Sequence, residues 1–404
     1  MKKKKKWLRP RHAFWTAFLI KFVGAYAKIK YRIKVSKFKD QGKRPYLILL
    51  NHQTSFDQFF VAMAFKGAVY YVASEDLFSM GFASKVINYL VKPIPIKKQT
   101  TDARASMTCV KIAREGGTIA LAPEGNRTFS GKTEYINPSI VKLAKLIKLP
   151  IAFFRIEGGY GVQPRWSNVK RKGKMRAFVS KVLEPEEFLK MSDDELFDTI
   201  KTELNVFEAK ADGNFYHKKS AEYLERAVYV CPKCGLSTFY SKGQLISCKN
   251  CNLTAKYLPD KRLSGEGEEF PFEFVNDWYE YQNEFINKFN PLEHTDKPLY
   301  SDKVKFFIVH LYKNKEKLSK KAIAELYGDK IVVKYGGKQD EFLFNELTAV
   351  TVLGKNKVNF YFNDQVYQIK GDKRFNALRY VNIFYRHKNL TAGGKENNGE
   401  FLGL

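Results

Sequence analysis

Three groups of residues in this chain have the types and spacing for chemistry. In "NHQTSFD", residues 51–57, His52 and Asp57 enclose four residues. A turn of that length folds an imidazole back onto a carboxylate, which sets one ring N–H toward the acid and leaves the other nitrogen free to accept a proton. Such a pair is a general base: an imidazole of ordinary pKa, about 6.5, speeds removal of a hydroxyl proton by roughly 10²- to 10⁴-fold once positioned. An ordinary helix start accounts for part of the same stretch. Ser55 with Gln58 has the spacing of a capping box, and Asp57 would complement the helix dipole. That reading leaves His52 without a role.

The second group lies in "LAPEGNRTFSGKTE", residues 121–134. A nucleotide-binding Walker loop places four residues between its glycines, whereas Gly125 and Gly131 enclose five. Pro123 also removes a backbone donor, and Glu124 brings a carboxylate to the place an anion would occupy. What remains is a polar turn, Glu124, Gly125, Asn126 and Arg127, with a permissive backbone and a guanidinium suited to an oxyanion. A decorated loop with a surface arginine is the plainer alternative. In the third group, Cys231, Cys234, Cys248 and Cys251 form two C-x-x-C pairs. Four thiolates at this spacing close a tetrahedral structural zinc site with no position open to water. The fifth cysteine, Cys109, sits in a helix-periodic stretch and reads as a small buried hydrophobe.

The elements that must position these groups are legible in the hydrophobic period. From about 45 to 156, the strands "PYLILL", "AVYYVAS", "KPIPIK", "TIALA" and "PIAFFRI" alternate with the helical stretches "SFDQFFVAMAF", "FSMGFASKVINYL", "DARASMTCVKIAREGG" and "PSIVKLAKLIK". That alternation predicts an α/β fold, a mostly parallel sheet covered by helices, with sites at the carboxyl ends of strands. Both polar clusters follow strands. Beyond the cysteines, "FEFVNDWYEYQNEFINKFN" reads as a helix, then seven short strands from about 303 precede the helix "RFNALRYVNIFYRH".

In this order, "NHQTSFD" and "PEGNR" resemble the paired motifs of the glycerolipid acyltransferase family, whose 1-acylglycerol-3-phosphate acyltransferases make phosphatidic acid. The resemblance covers about residues 45–210. It implies that His52 deprotonates the acceptor hydroxyl for attack on an acyl thioester of coenzyme A or acyl carrier protein, that Asp57 orients and stabilises His52, and that Glu124, Gly125, Asn126 and Arg127 bind the glycerol-phosphate end of lysophosphatidic acid. The chain departs from the family in two places. Ala122 stands where Phe is common before the turn, and "IPIKKQTTDAR" lacks the usual arginine for the acceptor phosphate, so that either Lys98 takes the role as a point charge, Arg104 takes it from the next helix, or the acceptor is another lysophospholipid. Lys and Arg are not equivalent at a bidentate site. The seven strands and closing helix resemble a small pleckstrin-homology-like barrel.

The rest of the chain sets the context. A net charge of +28, from 70 basic and 42 acidic residues, calls for an anionic partner. The 44% hydrophobic content excludes a disordered chain. The opening "MKKKKKWLRPRHAFWTAFLIKF" joins a lysine block to an aromatic segment too short to cross a bilayer, as expected of a helix lying in the headgroup plane of an anionic membrane. A signal peptide ending at "AYA", 25–27, is the competing reading, and Lys21 breaks its apolar core. In "NVKRKGKMRAFVS", the cations Lys170, Arg171, Lys172, Lys174 and Arg176 read as a solvated strand-turn, with an edge facing lipid or donor phosphates as the sharper alternative. The expected organisation is a membrane-surface segment over 1–44, an acyltransferase domain over 45–210, a zinc ribbon over 225–258, a connector over 259–300, the barrel over 301–390 and a disordered tail over 391–404. The expected place is the cytoplasmic face of a membrane, held peripherally. A zinc-ribbon nucleic-acid-binding protein is the rival from another class: Phe239, Tyr240 and Lys242 suit it, but it gives His52 and Asp57 no purpose and nucleic acid is not the expected partner.

Overall fold

The computed structural model describes residues 6–96, 103–133, 135–310 and 313–391. Over these, one compact unit draws on Met1–Phe78, Phe82–Pro164 and Lys172–Gly213, and a second on Ser79–Gly81, Arg165–Arg171 and Asn214–Leu404.

In the first unit, α1 (Pro10–Leu19) continues through a π-helical turn (Ile20–Gly24) into α2 (Ala25–Tyr31). Then come β1 (Ile33–Val35), β2 (Leu47–Leu50), α3 (Asp57–Ala64), β3 (Val69–Ser74), α4 (Phe82–Leu90), β4 (Ile94–Ile96), α5 (Ala103–Arg114), β5 (Thr118–Leu121), α6 (Ser139–Ile147), β6 (Ile151–Glu157), the single turn α7 (Gly159–Val162), β7 (Met175–Leu183), α8 (Pro185–Phe188) and α9 (Asp193–Leu204). The strands form one sheet in the order β1-β7-β6-β2-β5-β3-β4, parallel throughout except where β6 meets β7. This is the predicted helix-covered, mostly parallel sheet. All four residues of β2 are buried, because helices cover both faces of a parallel sheet and no position can be polar.

Leu47, Leu49, Ile119, Ile151 and Phe153 of the central strands pack with Cys109 and Ile112 of α5, Ile140 and Ala144 of α6, and Leu196, Ile200 and Leu204 of α9. Cys109 is core filling, and burial pushes its thiol pKa up to about 12. The antiparallel strand β7 extends the sheet where only a solvated strand-turn was expected. Met175 and Ala177 face inward while Arg176 pairs with Glu157, and the alternation is hard to see beneath so many cations. Arg171 departs further from that expectation. It is buried in the second unit, between the rings of Trp166 and Tyr257 at 4.9 and 4.7 Å, and donates to the Ser220 carbonyl.

The second unit begins with the short pair β8 (Val230–Cys231) and β9 (Gly235–Leu236), followed by a four-stranded antiparallel sheet of β10 (Phe239–Lys242), β11 (Leu245–Cys248), β12 (Thr254–Tyr257) and β13 (Leu263–Gly265). Helix α10 (Val275–Lys288) is bound to this ribbon by polar contacts. Trp278 Nε1 donates to the Val230 carbonyl, and the Gln282 side chain bridges Tyr229 N and the Ala227 carbonyl. Phe239 belongs to that core, 5.1 Å from the Trp278 ring, so it is no exposed stacking platform. The seven expected strands follow as β14 (Tyr300–Val309), β15 (Glu316–Leu326), β16 (Lys330–Tyr335), β17 (Lys338–Leu343), β18 (Ala349–Leu353), β19 (Lys357–Phe362) and β20 (Gln365–Lys370), with α11 (Leu378–Thr391) against β18. They make one antiparallel sheet ordered β17-β16-β15-β14-β20-β19-β18, filled by Phe306, Phe342, Phe360 and Tyr367.

Candidate active site and metal centre

Strand β2 lies between β5 and β6 in the sheet, so the segments leaving β2 and β5 emerge side by side at its carboxyl pole. Asn51 fixes the first of them. Its amide donates to the Ile156 carbonyl and accepts from Ile156 N, both at 2.8 Å, which extends the β2–β6 ladder by one residue before the chain turns.

The turn brings His52 Nδ1 to 2.7 Å from Asp57 Oδ2. Asp57 is 2% exposed and saturated with donors: Gln53 N at 2.8 Å, Thr54 N at 2.9 Å and Thr54 Oγ1 at 2.7 Å also point at it. An anionic Asp57 assigns the Nδ1 proton to the side facing it and leaves Nε2 as the acceptor. The His52 side chain is 31% exposed, so a substrate can reach it. The capping box at Ser55 and Gln58 does not form. Phe56 is the N-cap residue without a side-chain cap, and Gln58 Nε2 instead donates to the Ser55 carbonyl. The Asp57 carboxylate faces back over the turn rather than along the helix, because four donors gather there.

The segment after β5 closes on the same place. Glu124, 4% exposed, accepts the His52 backbone N–H at 3.1 Å and so ties the second polar turn to the first. Gly125 has φ +66°, a conformation glycine adopts without strain, and its N–H closes the turn on the Ala122 carbonyl. Burial pushes the Arg127 pKa down, while the charge of Asp57 and the Tyr31 hydroxyl push it up, which places the guanidinium in the field of the His52–Asp57 pair. Asn126 is buried in the same turn.

Two other sequence-predicted residues, Lys98 and Arg104, lie on the stretch that runs from β4 into α5. Lys98 lies outside the described residues. Arg104 is exposed on the first turn of α5 and, among the described residues, makes no side-chain hydrogen bond or ion pair with the cluster. Helix α5 follows β4, which lies at the sheet edge with β5 and β3 between it and β2.

The structure adds residues that the sequence reading passed over. Tyr31, at the end of α2, lies under the turn: its ring packs on Phe56 and Phe60, its hydroxyl donates to Gln163, and burial pushes its pKa up. Gly159 lies against Gln53 so closely that a Cβ there would come within 2.5 Å of the Gln53 Cβ. The "EGGYG" run at 157–161 was the available signal, since adjacent glycines after a strand often mark close backbone approach.

In the second unit, the four cysteines present sulfur atoms that all lie within 4.8 Å of one another, with Cys231–Cys251 at 3.5 Å and Cys234–Cys248 at 3.6 Å. The edge of a tetrahedron with metal–sulfur bonds of about 2.3 Å is about 3.8 Å, so the cluster has the dimensions to hold one metal ion. Burial raises the Cys231 thiol pKa and works against the thiolate at Cys248. At Cys248 it is outweighed by the Ser237 hydroxyl at 3.0 Å and the N–H groups of Cys251 and Asn250, and the pKa falls to about 7.

Comparison with known proteins agrees with the first unit. Residues 30–156 match the family described as Acyltransferase. No curated protein sequence matches the chain. Among solved structures, the chain is similar to the 1-acyl-sn-glycerophosphate acyltransferase PlsC of Thermotoga maritima, at 21% identity and a TM-score of 0.41, covering 49% of this chain and 80% of that one. It is also similar to the N-terminal PH domain of human ARAP2, at 13% identity and a TM-score of 0.20, covering 24% of this chain and 84% of that one. The matched residues 30–156 carry both polar turns, so the part of the chain that is similar to the family is the part that builds the site.

Proposed function

We propose that the chain is a 1-acylglycerol-3-phosphate O-acyltransferase that works by direct transfer. The observation that carries the reading is the 2.7 Å contact of His52 Nδ1 with a buried Asp57, tied through Glu124 to the turn that bears Arg127. In this scheme His52 Nε2 takes the proton of the acceptor hydroxyl as its oxygen bonds to the thioester carbonyl carbon. The tetrahedral adduct then collapses, the carbon–sulfur bond breaks, and the departing thiolate takes the proton back from His52. Asp57 holds the imidazole in the accepting tautomer and stabilises its cationic form. Arg127 and the backbone of Glu124–Arg127 hold the acceptor phosphate, and most of the acceleration comes from bringing hydroxyl and thioester together. The donor is acyl-coenzyme A or acyl carrier protein. Because the stretch around Lys98 and Arg104 has no arginine in the family's usual place for the acceptor phosphate, another lysophospholipid headgroup is the second reading of the acceptor.

A peripheral membrane site suits the exposed aromatic surface. Phe14, Phe18, Phe22, Tyr26 and Ile29 are between 46% and 79% exposed along the first helix, and the rings of Phe14, Trp15, Phe18 and Phe22 touch in succession. Helix α4 packs against α1 and adds Phe82 and Tyr89. Among the described residues, no helix is long and apolar enough to cross a membrane. The lysine block would add about 1 kcal/mol per charge near an anionic leaflet. On this reading, residues 1–44 dock on the cytoplasmic face, residues 45–210 are catalytic, and a zinc ion on the four cysteines stabilises the ribbon.

The test is acyl transfer by His52→Ala. Release of free thiol from an acyl thioester with lysophosphatidic acid as acceptor should fall by at least 10²-fold, with the melting temperature retained. Turnover equal to that of the parent would remove the mechanism.

A further inference from the structure

The first unit has a second concave site, at the opposite pole of its sheet. A cleft of about 950 Å³ is lined by Lys6 and Arg9 ahead of α1, by the approach to β2 (residues 41–45), by residues 66–68 before β3, and by residues 114–118 leading into β5. These are the amino ends of the strands whose carboxyl ends carry His52 and Glu124. Strand β2 has four residues, which at a rise of roughly 3.3 Å each puts roughly 13 Å of sheet between the two sites.

Six cations line the cleft, Lys6, Arg9, Lys43, Arg44, Lys66 and Arg114, against one acid, Glu115. Arg44 is neutralised by Glu184. Glu115 is already engaged, because its Oε2 accepts Trp7 N at 2.7 Å and Leu8 N at 2.9 Å. The remaining five cations have no carboxylate partner among the described residues. An open surface would let such charges splay apart into water, but a concave wall keeps them together and focuses their field. The neighbourhood shows the strain of this crowding. Burial, then Arg11, Lys92 and Arg9, hold His12 down to about 4, and burial with Arg9 and Lys111 lowers Lys92. The walls between the charges are apolar, from Leu8, Pro10, Ala13, Pro45 and Ala68, with Tyr70 beside them.

We infer that this cleft is a second anion site, which takes a phosphate ester or polyphosphate carrying several negative charges. Even with the charges of Glu115 and Glu184 set against them, the six cations leave an excess larger than one carboxylate would balance, and guanidinium forks with lysine point charges suit phosphate oxygens. The volume is at the upper end for small-molecule sites and exceeds the need of a single phosphate. The same chemistry is offered by a soluble polyphosphate compound and by the headgroup of an anionic lipid, and the experiment separates them.

The full chain would be titrated calorimetrically with inorganic tripolyphosphate and, in parallel, sedimented with phosphatidylcholine vesicles with and without phosphatidic acid. Saturable tripolyphosphate binding identifies a soluble ligand; its absence, with sedimentation that depends on phosphatidic acid, identifies the headgroup. In either case the double variant Lys43→Glu/Arg114→Glu should bind at least tenfold more weakly, about 1.4 kcal/mol, and Lys43→Arg should bind as the parent does. Both residues are exposed, so the melting temperature should hold; Lys66→Glu provides a third reversal if it does not. Equal binding by parent and double variant would overturn the assignment.

Discussion

Replacing Asp57 by asparagine isolates the electrostatic part of the proposed base. The carboxylate receives His52 Nδ1 and Gln53 N on Oδ2, and Thr54 Oγ1 on Oδ1, with Thr54 N within reach of both oxygens at 2.9 and 3.1 Å. An asparagine oriented with its carbonyl oxygen in the place of Oδ2 keeps the imidazole, Gln53 and Thr54 N contacts. Its Nδ2 then faces the Thr54 hydroxyl, which can rotate to accept. One rearranged hydrogen bond costs about 1 kcal/mol, so the protein should stay folded. What disappears is the negative charge beside the imidazolium formed during transfer. Two unit charges about 4 Å apart at an effective dielectric of about 20 attract by about 4 kcal/mol. At about 1.36 kcal/mol per decade, kcat should fall on the order of 10³-fold, with little change in the acceptor KM. The assay is thiol release from an acyl thioester at saturating lysophosphatidic acid, with a thermal melt of the same preparation. A folded Asp57→Asn protein with kcat within tenfold of the parent would refute the pairing of charge and imidazole as the source of catalysis.

Three further outcomes are expected. Gly159→Ala places a Cβ 2.5 Å from that of Gln53, an overpacking that costs about 1–3 kcal/mol and shifts the donors on Asp57; kcat should drop more than tenfold, and an active variant of unchanged melting temperature would contradict the close-packing argument. His12, fully buried and held neutral down to about pH 4, binds its proton earlier in the unfolded chain, at about 6.5. Stability should therefore be lost as pH falls from about 6.5 to about 4, by up to about 3 kcal/mol, and the urea midpoint of His12→Asn should vary less over that window. Purified protein should contain about one zinc per chain, and either chelation or Cys234→Ser should lower the melting temperature; metal-free protein of equal stability would reject the structural role.

Much of this protein was legible in the chain itself, because local physics writes it there. Alternating hydrophobic period announced the strands β2 to β6 and the helices between them, and the seven strands and last helix of the second unit. An exchange of period needs no knowledge of tertiary contacts. The spacing of His52 with Asp57 was equally readable, since a five-residue separation lies within one turn of chain. The spacing of the cysteine pairs was readable for the same reason.

Contacts between distant segments were not legible. That Glu124 holds the His52 backbone across 72 residues depends on β2 and β5 being neighbours in the sheet, and strand order is set by packing of the whole core. The same order brought Gly159 against Gln53. Tyr31 and Arg171 look like ordinary helix-end and loop residues until the fold buries them. The basic cleft is also a product of topology: Lys6, Lys43, Lys66 and Arg114 are scattered in sequence and meet only because the amino ends of three strands share one pole. Residue type and short spacing thus settled which chemistry was available, while the order of strands decided which residues share a site.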